Sequence, residues 1–177
     1  NPTKNIKIQG ISRAKNVDFL SIKELNILYK KLNSESLRYE RNICVLGLIL
    51  QQGLGSRDLK KLSVSDVDLK NKIIHITALK RSNKRSLKLK NDQVKNIQHY
   101  IHSTRPLVIL RKKVESQLLF ISDGIGDKMQ NSIQNLMTDL KKINPRIRDI
   151  NHLRASVISH WTEKYNLRQA QYMVGHR

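Results

Sequence analysis

Four short stretches of this sequence carry residue types that hold or move charge at a phosphate. In "QGLGSRDLKKL", Arg57 follows a glycine-rich break and opens a short helix. Helix-start N–H groups and a guanidinium can together hold an anion. In "ALKRSNKR", the residues Lys80, Arg81, Lys84 and Arg85 make a basic turn between two short runs. A turn of this kind can enter a DNA groove and touch phosphates or base edges. In "INHLRASVISHW", Asn151, His152 and Arg154 stand where an apolar helix begins. Val157, Ile158 and Trp161 mark the buried face of that helix, and Arg154, three residues before Val157, points toward a cleft. No acid lies three or four residues from Arg154 in either direction. A buried arginine needs an anionic partner, and an external phosphate is a candidate. In "MVGH", Gly175 stops a helix and His176 follows. Taken singly, each stretch also fits a plain role. Arg57 could pair with Asp58, the basic turn could keep an edge strand soluble, and Trp161 fits the core.

The bulk composition favours a polyanionic partner. The chain has 177 residues, enough for one domain with a substantial core. Lysine and arginine number 34 against 14 acidic residues, a formal charge of +20 spread along the chain. Such a protein repels itself, and nucleic acid relieves that repulsion. No apolar run approaches the ~18 residues of a membrane span, and no segment reads as a secretion signal. The single cysteine, Cys44, lies in an apolar run and reads as a buried small residue. A reducing, cytoplasmic setting is expected. No Cys/His cluster has metal-ligand spacing and no phosphate-binding glycine loop of the nucleotide hydrolases is present, so neither a zinc module nor a nucleotide hydrolase is expected.

These residues need elements to place them. Residues 1–18 read as a polar arm or linker. Ser21 and Glu24 make a capping box for a helix reaching about Leu32. A helix from about Ser36 to Gln52, with the core "ICVLGLIL", is apolar on nearly every side and is expected at the centre. A short helix "SRDLKKL" follows. Strands at Lys72–Thr77 and Arg85–Lys90 frame a hairpin, with Ser82 and Asn83 at its tip. A helix from Asn91 to about Ser103 is expected to break at Pro106. "QLLFIS" reads as a further short strand and "GIGD" as a loop. Helices are expected over residues 130–143, with Ile133, Leu136, Met137 and Leu140 on one face, then at Ile150–Lys164 and Leu167–Val174. The fold class is α+β, mostly helical, with a small antiparallel sheet.

The order of the four stretches resembles the tyrosine recombinases, also called phage integrases. The resemblance covers about residues 20–177, the catalytic domain of that family. Its strongest part is "NHLRASVISHW…LRQAQYMVGH", which matches the family's H-x-L-R and L-G-H boxes at the family's spacing. It implies residues 19–177 as a tyrosine-recombinase catalytic domain. It implies site-specific recombination of DNA (integration, excision or inversion) through a 3′-phosphotyrosyl intermediate, with no metal or ATP. Double-stranded DNA is the implied partner, bound by a homotetramer spanning two duplexes in a bacterial cytoplasm. By similarity, Arg57 and Arg154 grip the scissile phosphate. Lys80, with Lys84 as runner-up, donates a proton to the leaving oxygen, and His176 bonds the phosphate. Arg81, Lys84 and Arg85 are implied DNA contacts.

Three departures qualify the match. Gly55 stands where the family has arginine, and Arg57 comes two residues later, a rotation of ~200° on a helix. Arg57 serves only if the helix start has shifted too. The pattern G-L-x-x-R-[DE]-L, with Asp58 as its acid, resembles a divergent branch carried by bacterial mobile elements. Asn151 occupies the box-histidine position. It can donate a hydrogen bond to a phosphate but cannot act as a base, while His152, one residue late, is expected to face elsewhere. The family's nucleophilic tyrosine falls about nine residues after Gly-His, past Arg177, so these 177 residues alone are not expected to cleave DNA. Tyr172 precedes the box and reads as core, and Tyr29, Tyr39, Tyr100 and Tyr165 read as packing residues. The alternatives are a non-catalytic DNA-binding protein of recombinase descent, a type IB topoisomerase, and a basic RNA-associated domain that explains the charge but not the order of boxes.

Overall fold

A computed structural model describes residues 18–32, 34, 38–80, 82–124 and 128–175. Residues 1–17 of the expected arm (residues 1–18), the expected start of the second helix at Ser36, most of the "GIGD" loop, Arg81 and His176 lie outside the described residues.

Helix α1 (Ile22–Lys31) starts as expected. The Ser21 hydroxyl accepts from the Glu24 N–H, and the Glu24 carboxylate accepts from the Ser21 backbone. Those bonds, with Asn144 and Arg146, hold the Glu24 carboxyl down at about 2. Arg146 also bonds Asp18, tying the start of α1 to the loop before α7.

Helix α2 (Tyr39–Gln52) is the expected central helix, buried from Arg41 through Leu50. It packs against α1, α4 and α7. Its one buried charge, Arg41, donates to Asp123 at 2.6 Å and to the Ile121 carbonyl, so its desolvation is offset by a carboxylate.

Gly53 ends α2 in the left-handed region, with φ of 60°, and its N–H returns to the Ile49 carbonyl. A side chain here would be doubly opposed. The backbone angle disfavours it, and its Cβ would stand 2.8 Å from Cη2 of Trp161. Gly53→Ala should therefore cost roughly 2–4 kcal/mol in a denaturant melt.

Helix α3 (Ser56–Lys61) and a 3-10 turn (Val64–Asp66) lead into a three-stranded antiparallel sheet, β1 (Val67–Asp68), β2 (Ile73–Ile76) and β3 (Arg85–Lys88), in that order. Ile74 faces Leu87 and Ile76 faces Arg85 across β2 and β3. The hairpin reverses earlier than expected. Leu79 and Ser82 exchange both backbone hydrogen bonds, at 2.8 and 3.0 Å, so Lys80 is in the turn and Ser82 closes it.

The expected break at Pro106 is absent. Helix α4 (Asn91–His99) continues through a π-helical turn (Tyr100–Thr104) into α5 (Arg105–Lys112). The Arg105 N–H reaches back to the Tyr100 carbonyl, and this wider turn carries the helix past a proline that has no N–H to offer.

The expected "QLLFIS" strand is not a strand either. It meets Leu62–Val64 through a single bridge, Ser63 with Leu118, beside which the partner coils into its 3-10 turn. Leu119, Phe120 and Ile121 are nonetheless buried.

Helix α6 (Met129–Ile143) buries the expected face of Ile133, Leu136, Met137 and Leu140. Helices α7 (Ile150–Lys164) and α8 (Leu167–Val174) have the expected bounds. No helix among the described residues is long and apolar enough to cross a membrane.

Candidate phosphate-binding cleft

The start of α3, the hairpin turn, one face of α6, the start of α7 and the end of α8 meet around an open cleft of about 820 Å³. Arg154 lies at its back. Asp149 caps α7 by accepting the His152 N–H at 2.8 Å, which places Arg154 in the second turn with its side chain half-buried. Its Nε donates to the Gly53 carbonyl at 2.7 Å and its Nη2 to the Val174 carbonyl at 3.2 Å. One guanidinium thus joins the end of α2 to the end of α8. Burial pulls its pKa below the ordinary arginine value, Asp58 partly opposes this, and Arg85 adds to it. Arg154 lines the cleft and hydrogen-bonds to no described acid, an arrangement that an entering anion would stabilise.

Arg57, on α3, lines the same cleft. Helix α3 begins at Ser56, which places Arg57 in its first turn. One amide at this helix start is already engaged. The Gly55 N–H donates to Asp58 Oδ2 at 3.2 Å. The Arg57 guanidinium is exposed and makes no hydrogen bond with another described residue. The start of α3 lies beside Arg154: a Cβ at Gly55 would stand in ordinary van der Waals contact with Arg154 Cδ, at 3.8 Å.

Asn151 is exposed on the cleft wall, beside Arg154. His152 faces the other way, as expected. Its Nδ1 accepts the Arg148 N–H at 3.3 Å and its Nε2 meets the Asp18 carbonyl at 2.7 Å, which fixes the neutral tautomer protonated on Nε2.

Lys80 is exposed in the hairpin turn at the rim; its neighbours Leu79 and Ser82 line the cleft. The turn is held in place, because the Asn83 N–H donates to the Gly175 carbonyl at 2.9 Å. Val174 lines the cleft, and Gly175 ends α8 directly after it. Lys84 is exposed.

Arg85 differs from the expectation of a DNA-contacting side chain. It is only 3% exposed and turns inward, donating from Nη2 to Asp58 Oδ2 at 3.1 Å and from Nη1 to Ser82 Oγ at 3.0 Å. Strand alternation is the reason: Arg85, Leu87 and Leu89 share the buried face.

Sequence reasoning missed three further cations on the cleft wall, Lys60, Lys141 and Arg148. Lys60 was legible, standing three residues after Arg57 on the same helix face. The two lining carboxylates are already engaged, Asp58 by Arg85 and Asp149 by the α7 cap. The cleft therefore presents unneutralised positive charge. Arg148→Ala should weaken duplex binding across sequences and lower the slope of log affinity against log salt by about 1. A titration of binding against salt measures it. Among the described residues no group of histidines, cysteines and acids could hold a metal ion.

The phage integrase family model matches residues 18–177. Among solved structures, the XerH site-specific recombinase bound to its difH substrate superposes with a TM-score of 0.74 at 21% identity, covering 97% of this chain and 50% of that one. The Tn1549 transposon integrase in complex with transposon right end DNA gives 0.69 at 16%, covering 93% and 59%. The XerA recombinase gives 0.67 at 20%, covering 89% and 56%. The chain thus spans little more than half the length of these neighbours. No match is found among curated proteins.

Proposed function

The chain belongs to the phage integrase family, and from that premise we propose that residues 19–177 are the catalytic domain of a site-specific DNA recombinase. The observation that carries this is the Arg154 guanidinium. Two backbone carbonyls anchor it, and Arg154 lines a cationic cleft that Arg57 also lines.

The chemistry follows from the charges. A tyrosine hydroxyl attacks the scissile phosphorus; the new bond is O–P to the phenol, and the bond broken is P–O5′. The phenol proton passes to solvent, and Lys80 Nζ gives a proton to O5′, which leaves as a 5′-hydroxyl. Arg57 and Arg154 stabilise the charge that gathers on the phosphorane's equatorial oxygens, with Asn151 as a further donor and His176 assigned beside the phosphate. A 5′-hydroxyl of the second duplex then attacks the phosphotyrosine, expels the phenol and restores the phosphodiester. The bond energy is conserved, so no nucleotide is consumed.

None of the described tyrosines is placed to be the nucleophile. No described tyrosine lines the cleft. Tyr172 exchanges hydrogen bonds with the Ser86 backbone, and Tyr100 accepts from the Ile121 N–H. Burial pushes Tyr29 up to about 12. We assign the nucleophile to the segment following Gly-His, and the assembly to four copies on two duplexes, as the family resemblance implies.

Covalent trapping tests the reading. Full-length protein incubated with a nicked duplex should yield a 3′-phosphotyrosyl complex, and two site-bearing circles should exchange strands. Binding without a covalent complex would move the non-catalytic alternative to the front. Relaxation of a single supercoiled circle without exchange would favour the topoisomerase.

A further inference from the structure

We infer that Arg85 is a positioning residue for strand cleavage: it holds the Lys80 turn at a fixed place relative to Arg57. The inference rests on the functional reading above and deepens it.

The Arg85 side chain is wholly buried and touches three segments that carry site residues. Nη2 binds Asp58, the residue after Arg57, and the same Asp58 oxygen accepts the Gly55 N–H that starts α3. Nη1 binds Ser82, which closes the turn bearing Lys80. A Cβ on Gly175 would come within 2.6 Å of Nη1, so only a glycine fits beside the guanidinium there. Lys80 makes no hydrogen bond with another described residue. Its ammonium is placed by the turn alone.

A packing role does not account for this arginine. An apolar side chain of similar volume would fill the space without desolvating a charge. The Arg85 Nε is buried without a partner, a cost that packing alone gives no reason to bear. What only a guanidinium does is reach two elements at once through a planar fork. Its two ends meet the element of the phosphate-gripping arginine and the element of the proton donor. Proton transfer to a leaving oxygen depends steeply on that relative placement.

The test separates positioning of the proton donor from general structural damage. A scissile phosphate with sulfur in place of the 5′-bridging oxygen leaves as a thiolate, whose conjugate acid has a pKa of about 8.5, so it needs no proton donor. Single-turnover cleavage of the oxygen and sulfur substrates would be compared in full-length protein carrying Lys80→Ala, Arg85→Lys or Ser82→Ala. Lys80→Ala should lose ~10²-fold or more on oxygen and nearly nothing on sulfur. Arg85→Lys, which keeps the charge but loses the fork, should lose about 100-fold on oxygen. Ser82→Ala should lose about tenfold. Both should stay within about threefold of wild type on sulfur.

Parallel losses on both substrates, or no loss in either variant, would overturn the inference while leaving the functional reading intact. If Arg85→Lys does not fold, Ser82→Ala decides alone, since it removes one hydroxyl and leaves the turn's backbone bonds in place. If sulfur fails to rescue Lys80→Ala, the assignment of Lys80 itself is wrong and the role of Arg85 falls with it.

Discussion

Arg154→Ala should reduce strand cleavage by ~10³-fold or more while leaving duplex affinity within a few-fold of wild type. The asymmetry follows from where the charge is. Duplex affinity is the sum of many phosphate contacts made by a chain of net charge +20, and the loss of one cation from that sum is small. Cleavage depends on the one phosphate whose charge rises as the phosphorane forms, and a preorganised donor there acts in a partly desolvated site. Arg154 is preorganised by its bonds to the Gly53 and Val174 carbonyls. Arg154→Lys should recover little, because a single ammonium cannot satisfy two carbonyls and fork to a phosphate. Single-turnover cleavage and band-shift affinity at one fixed salt concentration measure the two quantities. Equal losses in both would mean that Arg154 is an ordinary backbone contact.

The second large effect is on stability. Asp58→Ala should destabilise the fold by roughly 3–5 kcal/mol, because it strips the buried Arg85 guanidinium of its carboxylate. A loss of that size lowers the melting temperature by roughly 10 °C in a domain of this length. The position is more exacting than an isolated ion pair. Asp58 also supports the charge of Arg154 next door, which Arg85 opposes. Without the carboxylate, two guanidiniums face each other. Removing both partners should be milder than removing one: Asp58→Ala combined with Arg85→Met should be more stable than Asp58→Ala alone. Thermal melts of the two variants and their parent check it. If the double variant is the least stable, the pair's worth lies in packing.

Where the sequence carries periodic apolar residues and clear stops, its reading and the structure coincide. Helices α7 and α8 have the expected bounds, the second ended by Gly175, and the central helix is buried around "ICVLGLIL". Arg57 and Arg154 do share a cleft, with Asn151 between cleft and solvent. What was not legible has physical reasons. An i→i+5 turn has no composition of its own, so Pro106 read as a break. An apolar run such as "QLLFIS" is the same whether it pairs as a strand or merely lies buried beside a neighbour. Charge count shows that Lys80, Lys84 and Arg85 are basic but not which one turns inward. The alternation with Leu87 and Leu89 held that information, and the clustering of cations masked it. Lys141 and Arg148 reach the cleft only through tertiary packing of α6 and the loop before α7.

The π turn at Tyr100–Thr104 has a consequence for chain length. A π turn uses one more residue than an α turn to cover about the same path. The helix running from α4 into α5 therefore holds one residue of slack, and its two halves keep their packing faces on either side of it. Loss of a single residue from Ile101–Thr104 can be absorbed by tightening the turn to α geometry, without re-phasing Ile97 or Val108, the buried residues that flank it. The same deletion in α2 would swing everything beyond it by ~100°, in a helix with no exposed face to give way. Within its described helices the domain thus has one turn that can give up a residue, on an element that does not line the cleft.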